Sequence, residues 1–274
     1  MVNRSSDAVA RAPASGLDRA IRLGHEGIAH ARRFDYLGKF EDLEKAIKCN
    51  EEALRCCAET PFEYLFWGNM GVCRLTSFGH RGEPSELAMA REALERALKY
   101  CPPHHPTRAA WLGNLGVAHS LAFDIMVRCG LKFDWDYSGT EAIQAAISHH
   151  KNAADRAPED GATRIVYLLN LGNSHAALFD HRGEKNDLNE AIEYLEAAMS
   201  LMGRLNLDKD YLLDSAVVPS NYGPCLRTDS PTYFMVREYA NHDPFRAPQY
   251  EFESPESAEG YYYSEHRVRA LHDA

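Results

Sequence analysis

The stretch PPHHPTRAAWLGNLG, from Pro102 to Gly116, decides the fold. Pro102, Pro103 and Pro106 lack the amide proton and clash with a preceding helical turn, so they stand before a helix rather than inside one. Thr107 is a residue type that caps such a helix. Trp111, Leu112 and Leu115 then place bulk on it, while Gly113 and Gly116 leave gaps for a neighbouring helix. The pattern recurs as EYLFWGNMG from Glu63 to Gly71 and as RIVYLLNLG from Arg164 to Gly172. An earlier copy, LDRAIRLGHEGIAHARRF, starts at Leu17 and carries its glycine at Gly27. Counted from these glycines, the copies lie 44, 45 and 56 residues apart. Seven residues after each comes an aromatic: Phe34, Phe78, Phe123 and Phe179. Eleven after come Gly38, Gly82 and Gly183, each placed to end its helix. In the third copy that place holds Val127, and an insertion from Arg128 to Tyr137 accounts for the longer spacing.

A second amphipathic segment follows each closing glycine. The four are EDLEKAIKCNEEAL from Glu41, SELAMAREALERAL from Ser85, TEAIQAAISHHKNAA from Thr140 and NDLNEAIEYLEAAM from Asn186. Apolar residues recur at steps of three and four with charged residues between them, the pattern of a helix with one solvated face. Ala46, Ala90, Ala142 and Ala191 supply a small residue in each, and Ser85 and Asn186 read as caps. One helix pair cannot bury its own apolar face; stacked neighbours bury it continuously. The sequence therefore predicts an all-α chain, an α-solenoid of tandem antiparallel helix pairs over residues 17–203.

The bulky residue, Leu-Gly pair and aromatic of the first helix, with the small Ala of the second, resemble the tetratricopeptide repeat family. In copy three these are Trp111, Leu115-Gly116 and Phe123; in copy four, Tyr167, Leu171-Gly172 and Phe179. The family's unit is about 34 residues, and the units here are longer by roughly ten. At this period the combination is similar to fungal repeat arrays that precede caspase-like CHAT protease domains. The resemblance implies first helices that line a concave groove holding a peptide. The family's two-carboxylate clamp needs Lys and Arg that have no counterpart here.

Outside the array, residues 1–16 read as a disordered leader. A degenerate fifth-unit helix is expected over 204–216, where YLLDSA from Tyr211 to Ala216 echoes YLLNLG from Tyr167 to Gly172. Residues 217–274 are rich in Tyr, Pro and Ser, without helical period, and read as an irregular tail with a short helix over 265–272. The last complete unit, near Leu195 to Met202, lacks an obvious polar cap; the tail covers it, or the array end associates with a second copy. With 40 acidic against 30 basic residues the net charge is −10. That sign argues against nucleic acid and against anionic membrane surfaces as partners, since phosphates attract a surplus of Lys and Arg. No span of apolar residues or signal-peptide core stands out. Seven cysteines without paired spacing read as reduced thiols in a cytoplasmic protein.

No arrangement for catalysis is apparent. Phosphate-binding and nucleophile-elbow motifs are missing, and there is no His-Gly pair of the caspase kind. His30, His119 and His175 share one register, three after the glycine, which suits a stacking role. His104-His105 and His149-His150 are adjacent, unlike the i, i+4 pair of a helical zinc site. The sequence thus predicts no catalytic residue, no metal and no cofactor. The candidate binding residues are polar and repeat on the first helices. Asn69, Asn114 and Asn170 lie two before each glycine, Asn173 one after, and Arg108 and Arg164 eight before, as does Arg19 in copy one. Asn both donates and accepts, and so can grip a ligand's main chain; Arg meets a carboxylate with two parallel bonds. The competing reading is that Asn bonds a neighbouring helix and Arg lies along the rim. The expected function is a non-enzymatic scaffold or adaptor for a protein or peptide ligand. The alternative is the regulatory part of a CHAT-type protease system, acting on an enzyme in trans.

Overall fold

A computed structural model describes Ser6, Ala8, Val9 and residues 15–58, 60–128, 130, 133 and 138–205. The tail 217–274 and all but the first two residues of the expected fifth-unit helix lie outside them. The described residues form eight helices and no strand: α1 (Leu17–Leu37), α2 (Phe40–Cys56), α3 (Glu63–Arg81), α4 (Pro84–Tyr100), α5 (Arg108–Arg128), α6 (Gly139–Arg156), α7 (Ala162–Arg182) and α8 (Lys185–Arg204). They pair as four units, α1·α2 to α7·α8, and each second helix also packs on the first helix of the next unit. The first helices α1, α3, α5 and α7 touch in sequence, so they form one layer. The chain is an all-α helical repeat, as its periodicity requires.

Gly38, Gly82 and Gly183 close α1, α3 and α7 in the left-handed region, at φ 65, 67 and 70. Each donates its amide to the carbonyl of Phe34, Phe78 or Phe179, so the unit's aromatic and its closing glycine form one turn. In unit three α5 runs through Val127, and the left-handed glycine is Gly130. The second helices start differently from the sequence expectation. Ser85 and Asn186 lie inside α4 and α8, which are entered from the extended residues Glu83 and Glu184 without a side-chain cap. The helix with a full capping box is α6, where Ser138 and Glu141 exchange bonds. Of the leader, Ser6, Ala8 and Val9 are packed rather than loose: Ser6 bonds Glu26, and Val9 joins the core around Ala20 and Leu23.

Within each unit the repeat glycine lets the second helix come close. A Cβ on Gly71 would stand 2.6 Å from Leu94, on Gly172 2.8 Å from Leu195, on Gly116 2.5 Å from His150 and on Gly27 3.2 Å from Asn50. Asn50, Leu94, His150 and Leu195 are therefore equivalent. The small residue one turn earlier is Ala46, Ala90, Ala146 and Ala191, so Ala146 replaces Ala142 in the register expected from the sequence. Both are fully buried; the insertion before α6 shifts its register by one turn.

A second set of close approaches joins the units. Gly24 receives the ring of Phe66, Gly68 that of Trp111 and Gly113 that of Tyr167, with would-be Cβ atoms 2.7, 2.2 and 2.6 Å from ring carbons. The receiving glycine lies three before its repeat glycine and the entering aromatic five before the next one. Trp111 is held in turn by Tyr64, edge-on at 5.9 Å, and by the stacked ring of His105. The proline-rich turn that announced the unit thus folds back onto its aromatic. Ion pairs add stitches: Arg74 reaches Glu86 of its own unit at 3.1 Å and Glu51 of the unit before at 3.2 Å. Arg81 lies over the Phe40 ring and bonds Glu44. Helix α5 is long and apolar enough to cross a membrane, yet most of it is buried, where α4, α6, α3 and α7 pack on it.

Candidate functional site

On the first helices, positions two before and one after the repeat glycine point away from the second helices, because steps of three and four share a helix face. The earlier position holds His25, Asn69, Asn114 and Asn170; the later holds Ile28, Val72, Val117 and Asn173. His25, Ile28 and Val72 are exposed, the others half-buried. Not one of the eight is Asp, Glu, Lys or Arg, although those four residue types make up 26% of the chain. The outer faces of the second helices differ sharply, with exposed Glu41, Lys45, Lys48 and Glu51 on α2 and Glu190, Glu193 and Glu196 on α8. Interfaces deplete charged residues at their centre and leave polar groups to the rim.

Asn69, Asn114 and Asn170 fall on this stripe as the sequence places them, and their side chains make no hydrogen bond among the described residues. Asn173 joins them, with its Oδ1 buried and unpartnered. The two arginines do not join them. Arg108 Nη1 donates to the carbonyls of Leu98 and Cys101 at 2.8 and 2.9 Å. Arg164 Nη1 donates to those of Ala154 and Ala157 at 2.8 and 3.4 Å. The last carbonyls of α4 and α6 carry the negative end of the helix dipole, and that of Ala154 accepts from the Ala157 amide as well, at 3.3 Å. A guanidinium eight before the repeat glycine is within reach of them, and it clamps unit three to unit two and unit four to unit three. In unit one the residue at that place, Arg19, pairs with Glu52 at 2.6 Å.

The register three after the glycine is structural where its partners are seen. His30 Nδ1 lies 3.1 Å from Asp42, which also accepts two bonds from Arg33. Hydrogen bonds from Arg33, with a further contribution from His30, hold the Asp42 carboxyl down to about 2. Arg74 takes the place of histidine in unit two. In unit three His119 stacks on His149 at 5.2 Å, and burial brings both His119 and His150 down to about 3. In unit four His175 stacks on Tyr194, while His175 Nδ1 and Asp187 Oδ2 are buried without partners. Burial pushes the thiols of Cys49 and Cys73 up to about 12, the reverse of an activated nucleophile. Among the described residues no three His, Cys, Asp or Glu side chains stand where they could hold a metal ion.

The apolar half of the stripe, Ile28, Val72 and Val117, was not singled out from sequence, though the register that picked Asn173 contains it. The chain matches no family model and no curated protein.

Proposed function

We propose that this chain is a non-enzymatic scaffold, of the tetratricopeptide kind, that receives an extended segment of another protein across its layer of first helices. The stripe of His25, Asn69, Asn114 and Asn170 beside Ile28, Val72, Val117 and Asn173, free of Asp, Glu, Lys and Arg, carries this reading. Asn amides suit a ligand's main-chain groups, and the branched apolar residues beside them suit its side chains. Arg108 and Arg164 are left out of it, because Nη1 of each is engaged at a helix end.

The test is selection of peptides from a random displayed library on the immobilised full chain. Selected peptides lose binding at least tenfold, about 1.4 kcal/mol, to the variant Val72→Asp/Asn114→Asp. They keep it with Lys48→Asp on the outer face of α2. Recovery of no binder, or equal binding to both variants, sinks the proposal.

A further inference from the structure

The joint between units has a donor and a receiver. The donor is the aromatic five before the repeat glycine; the receiver is the glycine three before it. Three receivers, Gly24, Gly68 and Gly113, are filled by Phe66, Trp111 and Tyr167. The same positions at the two ends of the array break the rule. In unit four the receiver place holds Leu169, which is 2% exposed and belongs to the core with Leu195 and Leu201. In unit one the donor place holds Arg22, whose Nε pairs with Asp18 and whose Nη1 donates to the carbonyl of Ala8. Val9 and Ser6 lie against the same helix.

We infer that neither end of the four described units offers the aromatic-into-glycine joint, so that two copies of this chain do not join through it. Leu169 fills the place where a further unit's aromatic would seat, and Arg22 stands where unit one would offer one. An aromatic ring cannot enter where a branched side chain is already packed, since interiors leave no spare volume. A guanidinium offered to an apolar slot would leave its donors without water. The strength of solenoids lies in contacts between neighbours, so the absence of a donor at Arg22 and of a receiver at Leu169 takes this joint away from both ends of the four described units.

The experiment moves the stop one joint inward, in the full chain. Gly113→Leu puts at unit three what Leu169 puts at unit four. Hydrogen exchange then quickens in α7 and α8 by roughly tenfold or more while α1 and α2 keep their protection, as units open locally. Gly113→Leu/Tyr167→Ala makes room again, and protection of α7 and α8 returns. Unchanged protection in the single variant overturns the inference, and so does failure of the second change to restore it. The unaltered chain supplies an independent arm. If raising its concentration slows exchange at α1 and α8 together, copies are joining end to end and the inference falls.

Discussion

Alanine favours a helix over glycine by about 1 kcal/mol at an interior position, yet Gly68→Ala will destabilise this protein. Gly68 lies in the middle of α3, and a Cβ there would stand 2.2 Å from Trp111 Cε2 and 2.4 Å from Cζ2 and Nε1. These are atoms of a rigid ring, not the end of a flexible chain. The ring cannot turn away freely, because Tyr64 meets it edge-on at 5.9 Å and His105 stacks on it. Forcing such a contact costs about 1–3 kcal/mol in a packed core. Here the strained atoms are also those that set one unit against the next, which favours the upper half of that range. After the helical preference is subtracted, the net loss is about 1–2 kcal/mol. Gly203 provides the control, since nothing lies within 4 Å of a Cβ built there. It sits in the last turn of α8, and Gly203→Ala will be neutral or stabilising by up to about 0.5 kcal/mol. Urea unfolding followed by circular dichroism reads both variants. Opposite signs are the expected result. A Gly68→Ala protein as stable as the parent would refute the reasoning. Trp111→Ala removes the clashing ring, and it should cost less in the Gly68→Ala background than in the parent, a coupling a double-mutant cycle measures.

Two more predictions follow from groups the sequence presented differently. Arg108→Met leaves the carbonyls of Leu98 and Cys101 without their donor and should lower stability by about 1–3 kcal/mol; an unchanged urea midpoint would remove Arg108 from the joint. His150→Leu should leave stability at pH 7 equal or higher, because Leu94 and Leu195 fill the same place and His150 Nδ1 is buried without a partner. Burial, helped by neighbouring His149, keeps folded His150 neutral down to about 3, while the unfolded chain takes up its proton near the ordinary value of 6.5. Protons therefore favour unfolding between those limits, by about 1.4 kcal/mol per pH unit for one such group. The variant's stability should fall less steeply than the parent's from pH 6.5 downwards; parallel curves would show that His150 is not a source of acid lability. Some slope will remain in the variant, because His119 has the same lowered value.

The repeat was legible because the backbone enforces it. Gly38, Gly82 and Gly183 need the left-handed region, and Gly27, Gly71, Gly116 and Gly172 need the absence of a Cβ, so both sets leave a fixed mark at a fixed interval. What was not legible depended on distances across units. Trp111 and Gly113 stood out as bulk and gap, but Trp111 fills Gly68 and Gly113 receives Tyr167. No interval within one unit states that pairing. Arg108 and Arg164 were placed on a groove because they recur in register. Their carbonyl partners lie seven and ten residues upstream, at helix ends whose position the sequence marks only loosely. The misplaced Ala142 has a different cause, since an insertion hides how many residues belong to the helix after it.

Each register on a first helix faces one direction, and most registers have a visible task. The repeat glycine meets the second helix, the glycine three before it meets the next unit, and the aromatic five before it meets the previous one. The residue eight before meets a helix end in units three and four. Packing explains the residue types at all of these. The position two before the glycine is different. It holds Asn in three units of four, and those side chains bond to nothing else among the described residues. Asn is a mediocre helix former, and a merely solvated position would do better with Glu, Lys, Gln or Arg. Such residues do occupy the outer faces of α2 and α8. Nothing among the described residues therefore accounts for Asn69, Asn114 and Asn170, and under the proposed function a main chain laid across the layer would use both the donor and the acceptor of each amide.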